Sequence, residues 1–224
     1  MGIQNRTKQE NHTLEIFPVT LMDETLQPQP NTGMGGKQFN DDSEKRLQKK
    51  LRICPFSGSG EEEIAYTEKL EEEFRENIIQ QIYPDLVKWF NPTFIIPKLH
   101  QKWKKILDAN SLNEEIQTIR FKMKGTDLMR DVIRKEDWAT SLDLKSAFNH
   151  LIVYPPHGPY LTFEAMGKIQ QYRAVPFGTQ HSPIVFTHAL KMVLTKIRSE
   201  SDISILNYVD DLLFLHKDKE RLRK

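Results

Sequence analysis

The chain has 224 residues, of which 38% are hydrophobic and 28% charged, enough for one packed domain of ordinary size and an extension. Its formal net charge of +1 excludes a uniformly basic nucleic-acid-coating protein, so any nucleic-acid site must be a local patch. Cys54 is the single cysteine, which excludes an internal disulfide and suits an intracellular compartment, cytoplasmic or nuclear. No apolar run approaches the roughly 20 residues of a membrane span, so we expect no membrane partner.

Residues 1–60 form a polar N-terminal stretch. They contain Gln-Pro-Gln-Pro and Gly-Met-Gly-Gly and show no sustained hydrophobic periodicity, which predicts a mostly disordered extension. Within it lies a basic run at residues 44–52, EKRLQKKLR. This run is typical of a nuclear address or a nucleic-acid tether, and equally of a solvated helix face.

A helix is predicted from Glu61 to Ile82. Three glutamates at its start suit the positive end of the helix dipole, and Pro84 ends it. Its expected packing surface is an apolar stripe made of Ile64, Leu70, Phe74, Ile78 and Ile82.

The segment 138–148, WATSLDLKSAF, reads as a strand that ends near a carboxylate. Alternation places Leu142 and Leu144 on one face and Asp143 on the other. The simplest interpretation of a lone Asp143 is a solvated strand end, unless further carboxylates lie beside it.

Two more elements follow. Leu161–Phe163 and Ile169–Arg173 predict a hairpin around Gly167. Ser182 as N-cap and Pro183 as the first helical residue predict a helix start. The apolar face expected for that helix consists of Val185, Phe186, Ala189, Val193 and Ile197. Helices among strands in a non-repeating order indicate an α+β fold.

The most informative segment is Tyr208-Val209-Asp210-Asp211, which lies between the apolar runs Ile203–Leu206 and Leu212–Leu215. The pattern predicts a β-hairpin whose turn carries two carboxylates where Asn-Gly is usual. Packed carboxylates repel unless a cation neutralises them, and Mg²⁺ prefers oxygen ligands. The alternative is a solvated turn. With Asp143 on a neighbouring strand, three carboxylates would suit two metal ions about 4 Å apart, as in polymerase-type sites.

Several motifs, in order between residues 68 and 215, together resemble the reverse transcriptases. NPTFIIPK at 91–98 and KWKKILDANSLN at 102–113 resemble the family's fingers segment, and SLDLKSAF at 141–148 its first palm motif. VPFGTQHSP at 175–183 resembles the template-grip motif and NYVDD at 207–211 the signature motif. Three stretches are most similar to the corresponding sequences of the DIRS type, which are retrotransposons that carry a tyrosine recombinase. These stretches are WATSLDLKSAFNH, YRAVPFGTQHSP and NYVDDLL.

The resemblance implies a fingers region at about 61–135 and a palm at about 136–224, with an antiparallel sheet and packed helices. Family members continue through a thumb and usually an RNase H domain. We expect both to be absent here, because few residues follow Asp211. We therefore also expect Leu212–Leu215 to be an unpaired edge strand.

The resemblance also implies residue roles. Asp143, Asp210 and Asp211 would be the catalytic carboxylates and the ligands of two Mg²⁺ ions, with Mn²⁺ as a substitute, and the first two would carry most of the coordination. Phe148 resembles the steric gate, a ring that leaves no room for a 2′-hydroxyl and so selects deoxynucleotides. Without the motif, such an aromatic residue is most simply core.

The remaining implied contacts concern nucleotide, template and primer. The nucleotide-binding residues would be Lys98, Lys104, Phe177 and Gly178, and the template and primer residues Ser182, Pro183, Tyr208 and Val209. Among the departures from the family, Lys104 and Asn110 stand where arginine is usual. Lysine acts as a point charge rather than a planar fork, and asparagine carries no charge.

The sequence therefore predicts an RNA-directed DNA polymerase domain of a retroelement. Its expected partners are a primed RNA or DNA template, dNTPs, and the RNase H and recombinase parts of a polyprotein. One alternative is a catalytically decayed, nucleic-acid-binding remnant of such an element. An RNA-dependent RNA polymerase is disfavoured by Phe148, because such an enzyme must admit the 2′-hydroxyl.

Overall fold

The computed structural model describes residues 41–98, 102–119, 133–134 and 136–223. Its α-helices are α1 (Asp41–Lys50), α2 (Gly60–Arg75), α3 (Asn110–Glu115) and α4 (Ser182–Glu200). Its strands are β1 (Ile79–Gln81), β2 (Thr93–Lys98), β3 (Lys102–Leu107), β4 (Trp138–Asp143), β5 (Thr162–Ala165), β6 (Lys168–Tyr172), β7 (Ser204–Tyr208) and β8 (Asp211–His216). The predicted α+β class is confirmed.

The strands form three antiparallel sheets, ordered β1–β6–β5, β2–β3 and β4–β8–β7. The predicted hairpin of β5 and β6 is present, and Ala165 pairs with Lys168 across its turn. Met166 and Gly167 in that turn both have positive φ, 55° and 71°, as the tightest hairpin turns require. None of the helices in the described part of the chain combines the length and apolar character that a membrane crossing needs.

Helix α2 is shorter than predicted. It begins with a capping box between Ser59 and Glu62 and ends at Arg75 instead of Ile82. Asn77 adopts a left-handed φ of 60°, and the amide of Ile78 donates to the carbonyl of Glu73, 2.8 Å away. This hydrogen-bond pattern is a Schellman motif, which stops the helix and turns the chain into β1.

The predicted packing stripe of α2 is therefore wrong in part. Ile64 is 65% exposed and Phe74 is exposed as well, whereas Ile78 is buried outside the helix. The buried side chains of the helix are those of Ala65, Tyr66 and Leu70. The predicted stripe extends past the true helix end, where helical geometry no longer applies.

The prediction of a mostly disordered extension up to residue 60 needs correction, because residues 41–50 form a helix. Residues 1–40 lie outside the described residues. Helix α1 packs Leu47 into the core at 1% exposure. Its Arg46 forms a salt bridge with Glu115 of α3 at 2.7 Å, and its Glu44 accepts a hydrogen bond from the Tyr160 hydroxyl. The basic run therefore lies largely in a helix that packs one face against the rest of the domain. The polar composition of the run did not indicate this packing.

Strand β8 is the central strand of the third sheet, between β4 and β7. The expectation that Leu212–Leu215 is an unpaired edge is wrong, because β4 returns to pair with it along its whole length. We call β4–β8–β7 the aspartate sheet.

Helix α4 lies beside this sheet, and the Arg198 guanidinium donates to the Ile205 carbonyl of β7 at 2.7 Å. Its apolar face differs from the predicted one, since Val185, Val193 and Ile197 are exposed. The buried side chains of the helix are those of Ser182, Ile184, Phe186 and Leu194. Which side chains of the helix are buried depends on the elements that pack against it. The spacing of apolar residues along the sequence does not give those contacts.

Candidate active site

The hairpin of β7 and β8 closes with Tyr208 paired to Asp211, which leaves Val209 and Asp210 as a two-residue turn. The predicted hairpin is confirmed. Of the two turn residues only Val209 has a positive φ, 55°. Glycine usually holds the first position of such a turn, and a β-branched residue there is strained. Backbone strain of this kind occurs at functional sites, where the surrounding structure maintains it.

Strand β4 brings the first carboxylate to this hairpin. Asp143 and Asp211 are direct partners in the antiparallel register of β4 and β8. Directly opposite residues have their side chains on the same face, with Cβ atoms about 4.5–5.5 Å apart. Both residues are exposed. Two facing carboxylates repel each other, so this end of the aspartate sheet favours a cation.

Asp210 lies next to this pair but belongs to the turn rather than to the strand. Within the described residues, no group of three or more His, Cys, Asp or Glu side chains could hold one metal ion. The expectation that all three aspartates converge as one ligand set is therefore not met here. Asp210 is a turn residue whereas Asp211 begins β8 and pairs with Asp143. The donors present fit Mg²⁺ bound through one or two carboxylates with further oxygens from a phosphate.

Lys104 of β3 lies close enough to the aspartate turn to interact with the charge of Asp210. Its Nζ lies 3.8 Å from the centroid of the Phe177 ring, a cation–π distance. Burial lowers the pKa of Lys104, the charge of Lys98 lowers it further, and the charge of Asp210 opposes both effects. Lys98 lies on β2, which pairs with β3. The hairpin of β2 and β3 thus directs positive charge towards the aspartate turn.

Phe148 lies in a 3-10 helix, Ala147–His150, shortly after β4. Its ring centroid is 4.4 Å from that of Phe177 and 5.4 Å from that of Phe186, and the residue is 5% exposed. The structure therefore brings together Phe148 and Phe177, two of the residues predicted to contact nucleotide. Phe186 of α4 contacts the Phe148 ring.

The segment 175–183, which we call the grip loop, packs against the end of β3. Gly178 has a φ of 114°, and a Cβ added there would lie 2.2 Å from the Leu107 carbonyl oxygen. Only glycine fits this approach.

Ser182, predicted to cap α4 and to face the template, does neither. It is the first helical residue, 1% exposed, and its hydroxyl donates to the Pro176 carbonyl at 2.7 Å. Because this hydroxyl is hydrogen-bonded to the backbone of its own loop, it is not directed towards a template. Pro183 occupies the first turn of the helix as predicted and is half-buried.

Comparison with known proteins assigns the family. A family model described as reverse transcriptase (RNA-dependent DNA polymerase) matches residues 95–224, more than half of the chain. The chain belongs to the reverse transcriptase family.

Several polyproteins are among the proteins to which the chain is similar. The Intracisternal A-particle Pol-related polyprotein of the mouse intracisternal A-particle MIA14 is 24% identical over 175 residues, which cover 74% of this chain and 20% of that protein. The Gag-Pro-Pol polyprotein of sheep pulmonary adenomatosis virus is 24% identical over 149 residues, 63% of this chain and 9% of that protein. The Gag-Pol polyprotein of walleye dermal sarcoma virus is 26% identical over 131 residues, 58% of this chain and 8% of that protein. The chain spans a fifth or less of the length of these relatives.

This reverse transcriptase chain also contains two site residues that the sequence pattern did not indicate. The Asn113 side chain is hydrogen-bonded to the backbone of both Gly178 and Gln180. Gln180 in turn donates from its side chain to the carbonyl of Asn113. Both lie inside recognised motifs, so their presence was visible, but nothing in either motif indicates that they meet.

Proposed function

We propose that this chain is the fingers and palm part of an RNA-directed DNA polymerase of a retroelement. Its reaction is the attack of a primer 3′-hydroxyl on the α-phosphate of a dNTP, which releases pyrophosphate. The observation that carries the proposal is the direct pairing of Asp143 with Asp211 beside the strained Val209-Asp210 turn. Carboxylates concentrated at one sheet end serve phosphoryl chemistry well, because they hold the cations that phosphates need.

Two Mg²⁺ ions, or Mn²⁺ as a substitute, are the cofactors in this proposal. When bound, they supply charge neutralisation and Lewis acidity at the reacting phosphate. Asp143 and Asp211 would hold them, with Asp210 contributing from the turn. Tyr208 and Val209 flank these carboxylates and would contact the primer terminus.

The other proposed roles follow from charge and shape. Lys104 and Lys98 would neutralise the triphosphate as it enters beside the turn. Phe148 would exclude the 2′-hydroxyl, and the contact of its ring with Phe177 fixes it in place. Gly178 would let the loop backbone approach the nucleotide, and Pro183 would lie on the template side.

A second candidate function is a nucleic-acid-binding remnant without catalysis. The observation in its favour is the charge lost at Asn110, which is exposed at the start of α3 where the family usually has arginine. With Lys104 replacing another arginine, the grip on phosphate oxygens is weaker than a bidentate one. RNA synthesis stays disfavoured because Phe148 restricts the sugar site.

We further propose that the element is of the DIRS type, because the sequences of the motifs that contain Asp143, Phe177 and Asp210 resemble those of that type. RNase H and recombinase parts of a polyprotein would then be partners of this domain, along with template, primer and dNTPs. We place the protein inside the cell, as a single free cysteine suits.

Primer extension by the purified chain tests the proposal. We expect only weak binding of the duplex, and its electrostatic part weakens as salt rises, so the assay belongs at low ionic strength. With a primed RNA template, dNTPs and Mg²⁺, we expect addition of one or a few nucleotides per encounter. Salt-sensitive binding of primer–template without any addition, in Mg²⁺ or Mn²⁺, would instead establish the remnant.

A further inference from the structure

The end of the fingers motif and the grip loop exchange hydrogen bonds across 64–67 positions of sequence. The Asn113 Nδ2 donates to the Gly178 carbonyl, and the Gln180 amide donates to the Asn113 Oδ1, both at 2.9 Å. In return, the Gln180 Nε2 donates to the carbonyls of Asn113 and Ile116, at 3.2 and 3.3 Å. These four hydrogen bonds join residues 113–116 to residues 178–180, and the His181 Nε2 is also hydrogen-bonded to the Gln117 carbonyl at 3.0 Å.

The grip loop has a physical need for such a partner. Residues 175–181 lie outside the helices and strands, so their backbone groups find no regular ladder. Backbone donors and acceptors near a packed interior must be satisfied by other groups. An asparagine amide offers one donor side and one acceptor side, which suits a carbonyl and an N–H two residues apart. Gly178 meanwhile has the Leu107 carbonyl directly against it, so the loop is fixed from two directions.

The helix that carries Asn113 is itself held in place. Helix α3 has six residues and is too short to be stable alone, so its position depends on tertiary contacts. Leu112 is buried at 1% exposure, and Glu115 forms the salt bridge with Arg46 of α1. Asn113 is therefore attached to an anchored element rather than to a free loop.

We propose that Asn113 is a positioning residue that sets the backbone of Gly178–Gln180 and, through it, the side of the grip loop that faces the nucleotide. Its effect on nucleotide use rests on the proposed function. The hydrogen bonds themselves do not, so the two can be tested separately.

Amide hydrogen exchange at Gln180 tests the contact directly. In Asn113→Ala we expect exchange at Gln180 about fivefold faster or more, as the loss of one net hydrogen bond gives. In Asn113→Asp the carboxylate still accepts from Gln180 but cannot donate to Gly178, so protection should persist. The control is Ser111→Ala, an exposed residue of the same helix, which should match the wild type.

Single-nucleotide incorporation on the same proteins tests the consequence. We expect KM for the dNTP to rise about tenfold in both Asn113 variants, with kcat changed much less, because loop placement affects binding in ground and transition states alike. A purely structural role would lower the active fraction and leave KM unchanged.

Each outcome decides a separate point. A wild-type exchange rate at Gln180 in Asn113→Ala would overturn the proposal. Loss of protection at Gln180 in Asn113→Asp would overturn it as well, and this variant still tests the proposal if Asn113→Ala does not fold. Altered exchange with an unchanged KM would refute the role in positioning. A wild-type chain that incorporates no nucleotide would refute the proposed function, while the exchange result would still decide the contact.

Discussion

Replacing Lys105 with methionine should destabilise this protein far more than an ordinary lysine substitution. The Lys105 side chain is 1% exposed, and its Nζ lies 2.6 Å from Glu73 on α2. It also lies 3.9 Å from the centroid of the Phe163 ring and 4.9 Å from that of Tyr172. Burial lowers the pKa of Lys105 and raises that of Glu73, while the attraction between the two charges opposes both shifts.

The magnitude follows from what each substitution leaves behind. Methionine keeps the apolar stem of Lys105 between the rings, so the main loss is the charge partner of Glu73. A buried carboxylate without its partner costs about 3–5 kcal/mol. Replacing both residues, as in Lys105→Met with Glu73→Leu, removes both charges, and the pair is then expected to be neutral or stabilising.

Urea unfolding of the two single variants and the double variant measures this. The control is Lys69→Met, which breaks a half-exposed pair with Glu72 on the same helix and should cost less than about 1 kcal/mol. A Lys105→Met variant no less stable than the Lys69→Met control would refute the reasoning. So would a double variant that loses as much stability as the sum of the single ones.

Three further predictions concern single residues. Phe148→Val should raise ribonucleotide incorporation relative to deoxynucleotide incorporation and cost about 1–3 kcal/mol of stability in urea unfolding; unchanged discrimination would make the ring core only. Gly178→Ala should cost about 1–3 kcal/mol, because a Cβ would lie 2.2 Å from the Leu107 oxygen at a φ of 114°; an unchanged unfolding midpoint would contradict this. Burial raises the pKa of Tyr66 from 10.0 to about 12, so stability present below pH 10 should fall as pH rises towards 12, and Tyr66→Phe should flatten that loss in pH-dependent melting. An equal alkaline loss in the phenylalanine variant would show that other groups cause it.

Local signals predicted the aspartate hairpin and its partner strand. The Tyr208–Asp211 turn lies between apolar runs, and β4 alternates up to Asp143, so period and turn chemistry sufficed for both elements. The placement of Asp210 in the turn and of Asp211 at the start of β8 was not predictable, because it depends on which residue begins the strand. A motif gives the residue types but not this geometry.

The features that the sequence did not predict depend on specific hydrogen bonds and ion pairs. Helix α1 is ordered through Arg46 and Glu115, which are 69 positions apart. Helix α2 ends where Asn77 adopts a left-handed φ, and asparagine takes this position less often than glycine, so it is a weaker signal of a helix end. Ser182 faces inwards because the grip loop folds back onto its own carbonyl groups. The first case is tertiary context overriding a local pattern, and the other two are local hydrogen bonds that the hydrophobic pattern does not report.

The most direct test of the central claim is primer extension by Asp143→Asn beside the wild type. The neutral amide of this variant neither repels Asp211 nor binds a divalent cation as a carboxylate does, so we expect melting at the same or a higher temperature and loss of nucleotide addition. The control is Asp85→Asn, an exposed residue of the 3-10 helix Pro84–Leu86, which should extend primer like the wild type. Nucleotide addition by Asp143→Asn at the wild-type rate would contradict a catalytic site at the paired aspartates.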